Sequence, residues 1–527
     1  MGLTLLQDSK LMGAVSRIIQ RSERQESNQK LVETYVDVGL LPQLNNTNHQ
    51  IFYGRRGTGK THVMKVLEST LKSDLGHTVI YIDCRTLGST SQFSDPTVPL
   101  PRRCLALFRD FLLEIYHGLL EHIVEEPSRY ANEALQEADN LLSLITEPLR
   151  VFKANKLTTQ EEQSSTTKKS VSISGDSSQS LFTAKLNAVR EGGASQSESQ
   201  ETQYSIDTED KIIFPELQRH LRKVLELADT RLFILVDEWS SLTPDIQPYL
   251  AEFLKRGILP LSICTLKISA LEYRCRFNEH INGFTLGFEL GADIATAPDL
   301  DDYFVFDRNP EQVADIYADV LLKHLSSELP ENYLQDKYSA SLSRQFSSRL
   351  FTERNTFVEL ARASEGVIRD LINIFTQAYF HAQRRQRQSI DKKAILESAR
   401  QWFEQDKAQY LDDNLQEVMR RIVDEVIGKR KARSFLLPRQ LERHPIIQRL
   451  FDARVLHHMR RGYADKDNPG VRYNIYAIDY GAYVDLIGTS KQPELDLQLE
   501  IEEDDLIVPF DDKRSIRRIV LDKAILD

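Results

Sequence analysis

Gly54-Arg55-Arg56-Gly57-Thr58-Gly59-Lys60-Thr61 follows an apolar run at residues 51–53 and leads into a helical pattern over residues 61–67. This spacing is that of a phosphate-binding loop, whose glycines let backbone N–H groups turn inward around an anion. A Gly-rich turn that matched by chance would not need a strand before it and a helix after it. Lys60 is expected to reach the β and γ phosphate oxygens, and the Thr61 hydroxyl to bind Mg²⁺ at a helix N-terminus. The nucleotide is therefore expected to contact Gly54, Arg55, Arg56, Gly57, Thr58, Gly59, Lys60, Thr61 and His62.

A second predicted strand begins at Arg231, is apolar over residues 232–236 and ends in the carboxylates Asp237 and Glu238. Acidic turns after strands are common, but this one follows a phosphate-binding loop in the same chain. Asp237 is expected to complete the Mg²⁺ site with Thr61, and Glu238 to polarise a water molecule for attack on the γ-phosphate. These residues predict ATP and Mg²⁺ as ligands, with Glu238 and Lys60 as catalytic groups.

Further apolar runs predict the rest of a sheet. Residues 78–83 and 261–269 resemble strands buried on both faces, and residues 302–307 are predicted to form a fifth short strand. Lys267 and Ser269 lie near the end of the second run, where either could contact the γ-phosphate or the attacking water. The alternative is that both are ordinary solvated residues at the end of a strand.

Length and composition limit the class of protein. The 527 residues, 41% of them hydrophobic, predict about two to four domains. No apolar run is long enough to cross a membrane and the N-terminus lacks the pattern of a signal peptide, so a cytoplasmic protein is expected. Neither zinc nor a disulfide framework is implied, because the four cysteines lack metal-ligand spacing. The net charge of −11 argues against a protein coated in nucleic acid, although the local balance differs.

Two regions flank the predicted sheet strands. Residues 1–48 carry helical patterns at about 4–20 and 29–38, and this segment is expected to pack against the nucleotide pocket. Residues 103–153 are predicted to be helical. From about 155 to 210 the chain is rich in Ser, Thr, Gln and Glu, and alternation at residues 170–174 and 181–186 is consistent with an exposed β-hairpin or with a disordered linker.

After Pro310 the pattern is helical to about residue 408. Gly366 is predicted to interrupt this helical region and Arg369 to begin the next helix. From there its guanidinium could reach the γ-phosphate. An arginine on a helix is usually only solvated, so spacing alone does not select this one.

The C-terminal third is predicted to contain a winged helix at residues 412–487, with helices at 414–427, 438–443 and 446–459 and a β-wing at 462–484. Residues 429–472 hold twelve Lys or Arg and four Asp or Glu, a local balance of +8 that favours a phosphate backbone. The alternative is a protein-binding winged helix. The candidate contacts to double-stranded DNA are Lys429, Arg430, Lys431, Arg433, Arg449, Arg460 and Arg461.

An acidic stretch follows the predicted winged helix. Residues 494–512 hold nine Asp or Glu and no Lys or Arg. A hypothesis is that this stretch shields the basic patch, in which case deletion of residues 489–527 would raise DNA affinity.

The order of parts resembles the AAA+ ATPases, and the lid sequence from Ser364 through Gly366 and Arg369 to Leu371 is similar to that of the origin-recognition and replication-initiator branch. The resemblance covers about residues 30–485. It implies an α/β fold, a parallel five-stranded αβα sandwich with an all-helical lid and a C-terminal winged helix. It also implies that Arg369 is the second nucleotide sensor, and that Arg274 or Arg276 is presented to a neighbouring subunit of a homo-oligomer. Arg55 and Arg56 depart from the branch, which usually has small or proline residues there.

The predicted domains are an N-terminal helical segment (1–48), a nucleotide-binding domain (49–308), a lid (309–410), a winged helix (411–488) and an acidic tail (489–527). The predicted function is that of a DNA-binding ATPase that uses ATP binding and hydrolysis as a conformational or assembly switch. One alternative is a signalling ATPase of a prokaryotic antiviral defence system that controls a separate effector protein. Another is a transposon target-selection ATPase that polymerises on DNA. All of these share one nucleotide chemistry and differ in partner.

Overall fold

A computed structural model describes residues 4–18, 25, 27–88, 95–146, 149–156, 204–281, 283–430, 432–464, 470, 472–485 and 519–526. The chain divides into two compact units, one formed by Met1–Thr146 with Phe214–Asp527 and the other by Glu147–Ile213. None of the helices within these described ranges is long and apolar enough to cross a membrane.

The strands of the described residues form one parallel sheet and three small antiparallel ones. In chain order they are β1 (Gln50–Tyr53), β2 (His77–Asp83), β3 (Leu149–Lys156), β4 (Tyr204–Lys211), β5 (Arg231–Asp237), β6 (Cys264–Ala270), β7 (Asn278–Ile281), β8 (Phe284–Gly287), β9 (Ala295–Thr296), β10 (Ser434–Pro438), β11 (Leu456–Ala464) and β12 (Arg472–Ile478). The main sheet has the order β2-β5-β6-β1-β9 with every pair parallel. The carboxyl ends of these strands therefore meet at one edge.

The helices that flank this sheet and build the lid are α1 (Ser9–Arg17), α2 (Asn28–Thr34), α3 (Leu41–Leu44), α4 (Lys60–Lys72), α5 (Leu100–Glu125), α6 (Ala131–Thr146), α7 (Phe214–Ala228), α8 (Gln247–Gly257), α9 (Pro310–Ser326), α10 (Tyr333–Tyr338), α11 (Ser343–Leu350), α12 (Arg354–Ala363), α13 (Ile368–Arg384) and α14 (Lys392–Trp402). Successive residues of β2 face opposite sides of the sheet: Val79 belongs to the same core as Met64 of α4, whereas Ile80 lies against Gly118 of α5. The sheet is thus covered on both faces, as its apolar strands require. The predicted α/β sandwich is confirmed.

The predicted fifth strand at residues 302–307 is wrong. Two short 3₁₀ turns, Leu300–Tyr303 and Phe306–Arg308, occupy this stretch, and the fifth strand is the two-residue β9. The side chain of Asp299 accepts a hydrogen bond from the backbone N–H of Asp301 and so begins the first turn. Short polar caps of this kind favour a turn over a strand.

The C-terminal part contains α15 (Asp413–Val423), α16 (Pro445–Asp452) and α17 (Tyr480–Asp485), with a sheet of order β10-β12-β11. This is a winged-helix arrangement, but the predicted helix 446–459 is wrong beyond residue 452. Arg454 has a left-handed φ of 61°, which ends the helix, and β11 begins at Leu456. The predicted helix 438–443 is reduced to the 3₁₀ turn Leu441–Arg443.

The last described residues pack onto the winged helix. The backbone N–H of Leu436 in β10 donates to the carbonyl of Ile519 at 2.7 Å, and that of Leu521 donates to the carbonyl of Leu436 at 2.9 Å. Ile519 and Leu521 are buried. Part of the predicted tail therefore completes this module, while the acidic stretch 494–512 lies outside the described residues.

The second compact unit contains one antiparallel ribbon, in which β3 pairs with β4 from Leu149 opposite Lys211 to Lys156 opposite Tyr204. The helical prediction for residues 103–153 is therefore wrong at its end, since α6 stops at Thr146. The predicted hairpin at residues 170–186 lies outside the described residues.

Candidate nucleotide site

The loop between β1 and α4 has the backbone that its glycines predict. Gly57 and Gly59 have φ of 86° and 103°, in the left-handed region that favours glycine. A Cβ on Gly54 would lie 2.9 Å from the hydroxyl oxygen of Thr58, and one on Gly57 would lie 3.0 Å from the Cβ of Arg369. Only backbone fits at these positions, so its N–H groups can approach an anion closely.

Lys60 begins α4 immediately after this loop and is 6% exposed. Its ammonium donates to the carbonyl oxygen of Arg55 at 3.1 Å, and the Thr58 hydroxyl donates to the same oxygen at 2.9 Å. The loop therefore holds the cation that a phosphate group would contact. Thr61 is the next residue, in the first turn of α4, where the helix dipole is positive.

Asp237 ends β5 and is fully buried. Its carboxylate accepts hydrogen bonds from the backbone N–H of Glu238 at 2.9 Å, from the phenol of Tyr81 at 2.7 Å and from the hydroxyl of Ser269. A carboxylate offers about four lone-pair sites, so three such bonds leave one direction for a metal ion or its bound water. Asp237 thus fits the predicted Mg²⁺ site together with Thr61.

Glu238 follows β5 with a φ of 55°, a conformation that non-glycine residues rarely adopt. Such backbone strain costs about 1–3 kcal/mol and often marks functional positions. Burial raises the pKa of the Cys275 thiol to about 12, and the charges of Lys60 and Glu238 act on the same thiol in opposite directions. The fold therefore brings Lys60 and Glu238, distant in sequence, into one electrostatic environment.

A cleft beside the loop suits an uncharged aromatic ring. The imidazoles of His62 and His324 lie with centroids 6.4 Å apart, and Tyr35 packs against His62 at 5.4 Å. Burial lowers the pKa of both histidines, that of His324 to about 3, so both rings are neutral near pH 7. The lining residues are Thr34, Tyr35, Val36, Val38, Thr58, Gly59, His62, Val63, Leu300, Phe304, Val320, His324 and Ile368. Residues 34–36 and 38 of the N-terminal segment line this cleft beside the phosphate loop, and binding of a nucleotide base there remains a prediction.

Arg369 lies in the first turn of α13 and contacts the phosphate loop directly. Its backbone N–H donates to the carbonyl of Gly57 at 3.0 Å, and its Nε is 3.6 Å from the position that a Cβ on Gly57 would occupy. The preceding turn has two left-handed residues in succession, Glu365 at 51° and Gly366 at 80°. This turn brings the start of α13 back to the loop, while contact of the Arg369 guanidinium with a γ-phosphate remains a prediction.

Residues 21–359, more than half of the chain, match the family model described as ORC-CDC6-like. The chain belongs to the ORC-CDC6-like family. The predicted resemblance to AAA+ proteins of the origin-recognition branch is thereby confirmed. No curated protein matches this ORC-CDC6-like chain.

Three solved structures of ORC and Cdc6 proteins align with the chain over most of its length. The ORC1 protein of Aeropyrum pernix in complex with DNA is 14% identical, with 90% of this chain and 97% of that chain covered and a TM-score of 0.32. The A. pernix ORC2 protein in ADPNP–ADP complexes is 12% identical, with 92% and 96% covered and a TM-score of 0.32. Cdc6p from Pyrobaculum aerophilum is 11% identical, with 89% and 93% covered and a TM-score of 0.28. These TM-scores are low, so membership of the ORC-CDC6-like family rests on the sequence match.

In this ORC-CDC6-like protein, Ser269 of β6 contacts Asp237, whereas Lys267 of the same strand does not. Lys267 is fully buried and its ammonium donates to the side chain of Asn46 at 3.0 Å and to the carbonyl of Asn48 at 2.8 Å. It pairs in register with Gln50, at the start of β1, whereas Ser269 lies two residues nearer the carboxyl end. Tyr81, the other side chain that contacts Asp237, was not predicted, because a tyrosine in an apolar strand carries no local signal.

Ser269→Ala is expected to lower kcat for ATP hydrolysis by about 5- to 10-fold with little change in ATP affinity. The reason is that Asp237 loses one hydrogen-bond donor, worth about 1 kcal/mol. Steady-state phosphate release against ATP concentration measures both quantities. Ser262→Ala, at an exposed serine in the turn before the same strand, is the matched control. A variant with the wild-type kcat would exclude Ser269 from the reaction.

The predicted intersubunit arginines are placed differently from each other. Arg274 forms an ion pair with Asp452 of α16 in the same chain, and the backbone N–H of Arg276 donates to Gln247 at 2.6 Å. Arg274 is therefore engaged within the chain in this conformation. The role of either residue toward a neighbouring subunit remains a prediction.

The predicted DNA-contacting residues are mostly ion-paired. Arg433 is buried against Glu365, Arg461 pairs with Glu272 at 2.7 Å, and Arg449 pairs with Asp412. Lys429 and Arg430 both face Glu425, and Lys431 lies outside the described residues. Among the described residues of the winged helix, five exposed arginines make no ion pair: Arg420, Arg439, Arg443, Arg460 and Arg472.

Proposed function

We propose that this ORC-CDC6-like protein is an ATPase that binds double-stranded DNA and uses ATP binding and hydrolysis as a conformational or assembly switch. The observation that carries the proposal is the convergence of three distant segments. The phosphate loop, the Asp237–Glu238 pair and Arg369 of the lid meet at the carboxyl edge of one parallel sheet. This edge is where open α/β sheets bind ligands.

In this proposal each residue has a distinct task. Lys60 and Arg369 neutralise charge on the terminal phosphates, and Thr61 with Asp237 would hold Mg²⁺. When bound, Mg²⁺ supplies further positive charge to the phosphate oxygens. Glu238 accepts a proton from the water that attacks the γ-phosphate, while the bond to the β-phosphate oxygen breaks to leave ADP and phosphate.

The switch follows from the place of Arg369. It belongs to the lid, yet its backbone is bonded to Gly57 of the phosphate loop. A γ-phosphate that attracts Arg369 favours this closed lid, and hydrolysis removes that attraction. The lid position then depends on which nucleotide is bound, as a ligand can shift an equilibrium only through different affinity for its two states.

Arg439, Arg443 and Arg460 are the basis of the proposed DNA contact. A triple Arg→Ala variant at these positions is expected to weaken binding to a duplex and to lower the slope of log K against log salt by about 0.9 per lost phosphate contact. Fluorescence anisotropy over a salt series measures both. A triple variant of Arg219, Arg256 and Arg344, exposed residues outside the winged helix, removes the same net charge.

ATP hydrolysis by the wild type and the two triple variants, with and without duplex DNA, distinguishes the proposed function from a signalling ATPase. Stimulation of ATP hydrolysis by duplex DNA in the wild type, lost in the winged-helix triple variant and kept in the control, supports the DNA-dependent switch. A rate of ATP hydrolysis that duplex DNA does not change, together with equal salt slopes for the wild type and both triple variants, contradicts the DNA-dependent switch. That outcome favours a signalling ATPase that acts on a separate effector.

A further inference from the structure

Arg55, the second residue of the phosphate loop, connects three other parts of the fold. Its guanidinium is buried and donates to the carboxylate of Asp301 at 3.0 Å, to the carbonyl of Glu365 in the lid turn at 2.8 Å and to Nδ1 of His457 in β11 at 2.6 Å. Its own carbonyl accepts from the ammonium of Lys60. Arg55, itself part of the phosphate loop, therefore contacts the turn at Asp301, the lid and the winged helix.

In the hydrogen bond between Arg55 and His457, the guanidinium is the donor and the imidazole is the acceptor. Burial lowers the pKa of His457 to about 3, so the ring is neutral. Its Nε2 lies 2.8 Å from a carboxylate oxygen of Asp479, which can only accept, so Nε2 carries the proton. Nδ1 is left with a lone pair, and this is the atom to which Arg55 donates.

The network continues from the winged helix back to the nucleotide site. Asp479 contacts the ammonium of Lys407 at 2.5 Å, and the same ammonium lies 2.9 Å from Asp370. Arg454 pairs with the other oxygen of Asp370. Asp370 directly follows Arg369, so both ends of this buried chain of contacts adjoin residues expected to touch phosphate.

Buried charge networks contribute little to stability, because desolvation offsets the attraction between the charges. They are sensitive to geometry, however, because moving one charged group away leaves the remaining buried charges without a partner. Arg454, His457 and Asp479 come from the winged helix, whereas Arg55 and Asp370 come from the ATPase and lid. The network is therefore complete only when the winged helix is seated.

We infer that Arg55 is a positioning residue through which seating of the winged helix is coupled to the affinity of the phosphate loop for ATP. The inference rests on the proposed nucleotide site. A seated winged helix holds the Arg55 side chain, and this holds the carbonyl that positions Lys60. By thermodynamic reciprocity, ATP must then favour the seated winged helix to the same extent.

Two substitutions of His457 isolate the contact. His457→Gln keeps an N–H for Asp479 but lacks an acceptor at the Nδ1 position, and it is expected to weaken ATP binding roughly 5- to 30-fold, the range of one buried polar interaction. His457→Asn keeps an acceptor near that position, and its affinity should lie closer to that of the wild type. Isothermal titration with MgATP gives the dissociation constants, and thermal unfolding confirms that the variants fold.

Arg55→Ala and the double variant with His457→Gln complete a thermodynamic cycle. The double variant is expected to bind ATP no more weakly than Arg55→Ala, because both substitutions remove the same contact, that between Arg55 and His457. ATP should also slow amide hydrogen exchange in β11 of the wild type and fail to do so in His457→Gln. Wild-type affinity in His457→Gln, or additive losses in the cycle, would overturn the coupling. A wild-type protein that binds no ATP would instead overturn the proposed function.

Discussion

Glu238→Gln is expected to retain ATP while its rate of hydrolysis falls by about 10²–10⁴-fold, the usual contribution of a general base. Glutamine has nearly the same shape and keeps the backbone N–H that donates to Asp237 at 2.9 Å. It cannot accept the proton of the attacking water at neutral pH. Single-turnover phosphate release with isothermal titration separates the chemical step from binding.

The control for this variant is Glu216→Gln, which removes an exposed carboxylate in the first turn of α7. Its hydrolysis rate should equal that of the wild type. If Glu238→Gln hydrolysed ATP at a rate near the wild type, another group would have to activate the water. The left-handed backbone at Glu238 would then need a different explanation.

Lys60→Ala is expected to weaken ATP binding by about 10- to 150-fold, since a hydrogen bond to a charged group contributes about 1.5–3 kcal/mol. The wild-type ammonium is already held at the loop by the Arg55 carbonyl, so little reorganisation is needed when phosphate binds. Thermal unfolding with increasing MgATP measures the difference. The wild-type midpoint should rise with ATP concentration, and the same rise in the variant should require about 10- to 150-fold more ATP.

Lys72→Ala is the matched control. Lys72 lies in the last turn of the same helix, α4, and its ammonium forms an ion pair with Glu68 at 2.9 Å. Its midpoint should rise with ATP as in the wild type. An unchanged response in Lys60→Ala would place the phosphates elsewhere. A lower midpoint in both variants without ATP would indicate a structural role for α4 instead.

The elements predicted correctly are those whose signal is local. The left-handed backbone of Gly57 and Gly59 follows from residue type, because glycine adopts it without steric cost. The strand ending at Asp237 follows from an unbroken apolar run.

The elements predicted wrongly depend on contacts between distant segments. Residues 446–459 have helical spacing, yet the helix ends at Asp452, and pairing with β12 places His457 in a strand, where it lies between Arg55 and Asp479. The fifth strand consists of two residues, and its apolar content is too small to be distinguished from a loop. Pairing with β1 alone defines it.

The sequence by itself determined the left-handed glycine backbone of the loop after β1, the two carboxylates at the end of β5 and the excess of positive charge at residues 429–472. These signals reside in residue types and short spacings, which fix local backbone and charge. Tertiary structure alone decided that Ser269 and not Lys267 faces Asp237, and that Arg55 joins the phosphate loop to the winged helix. Strand register and the docking of modules set these contacts, and both arise from the burial of surfaces far apart in the chain.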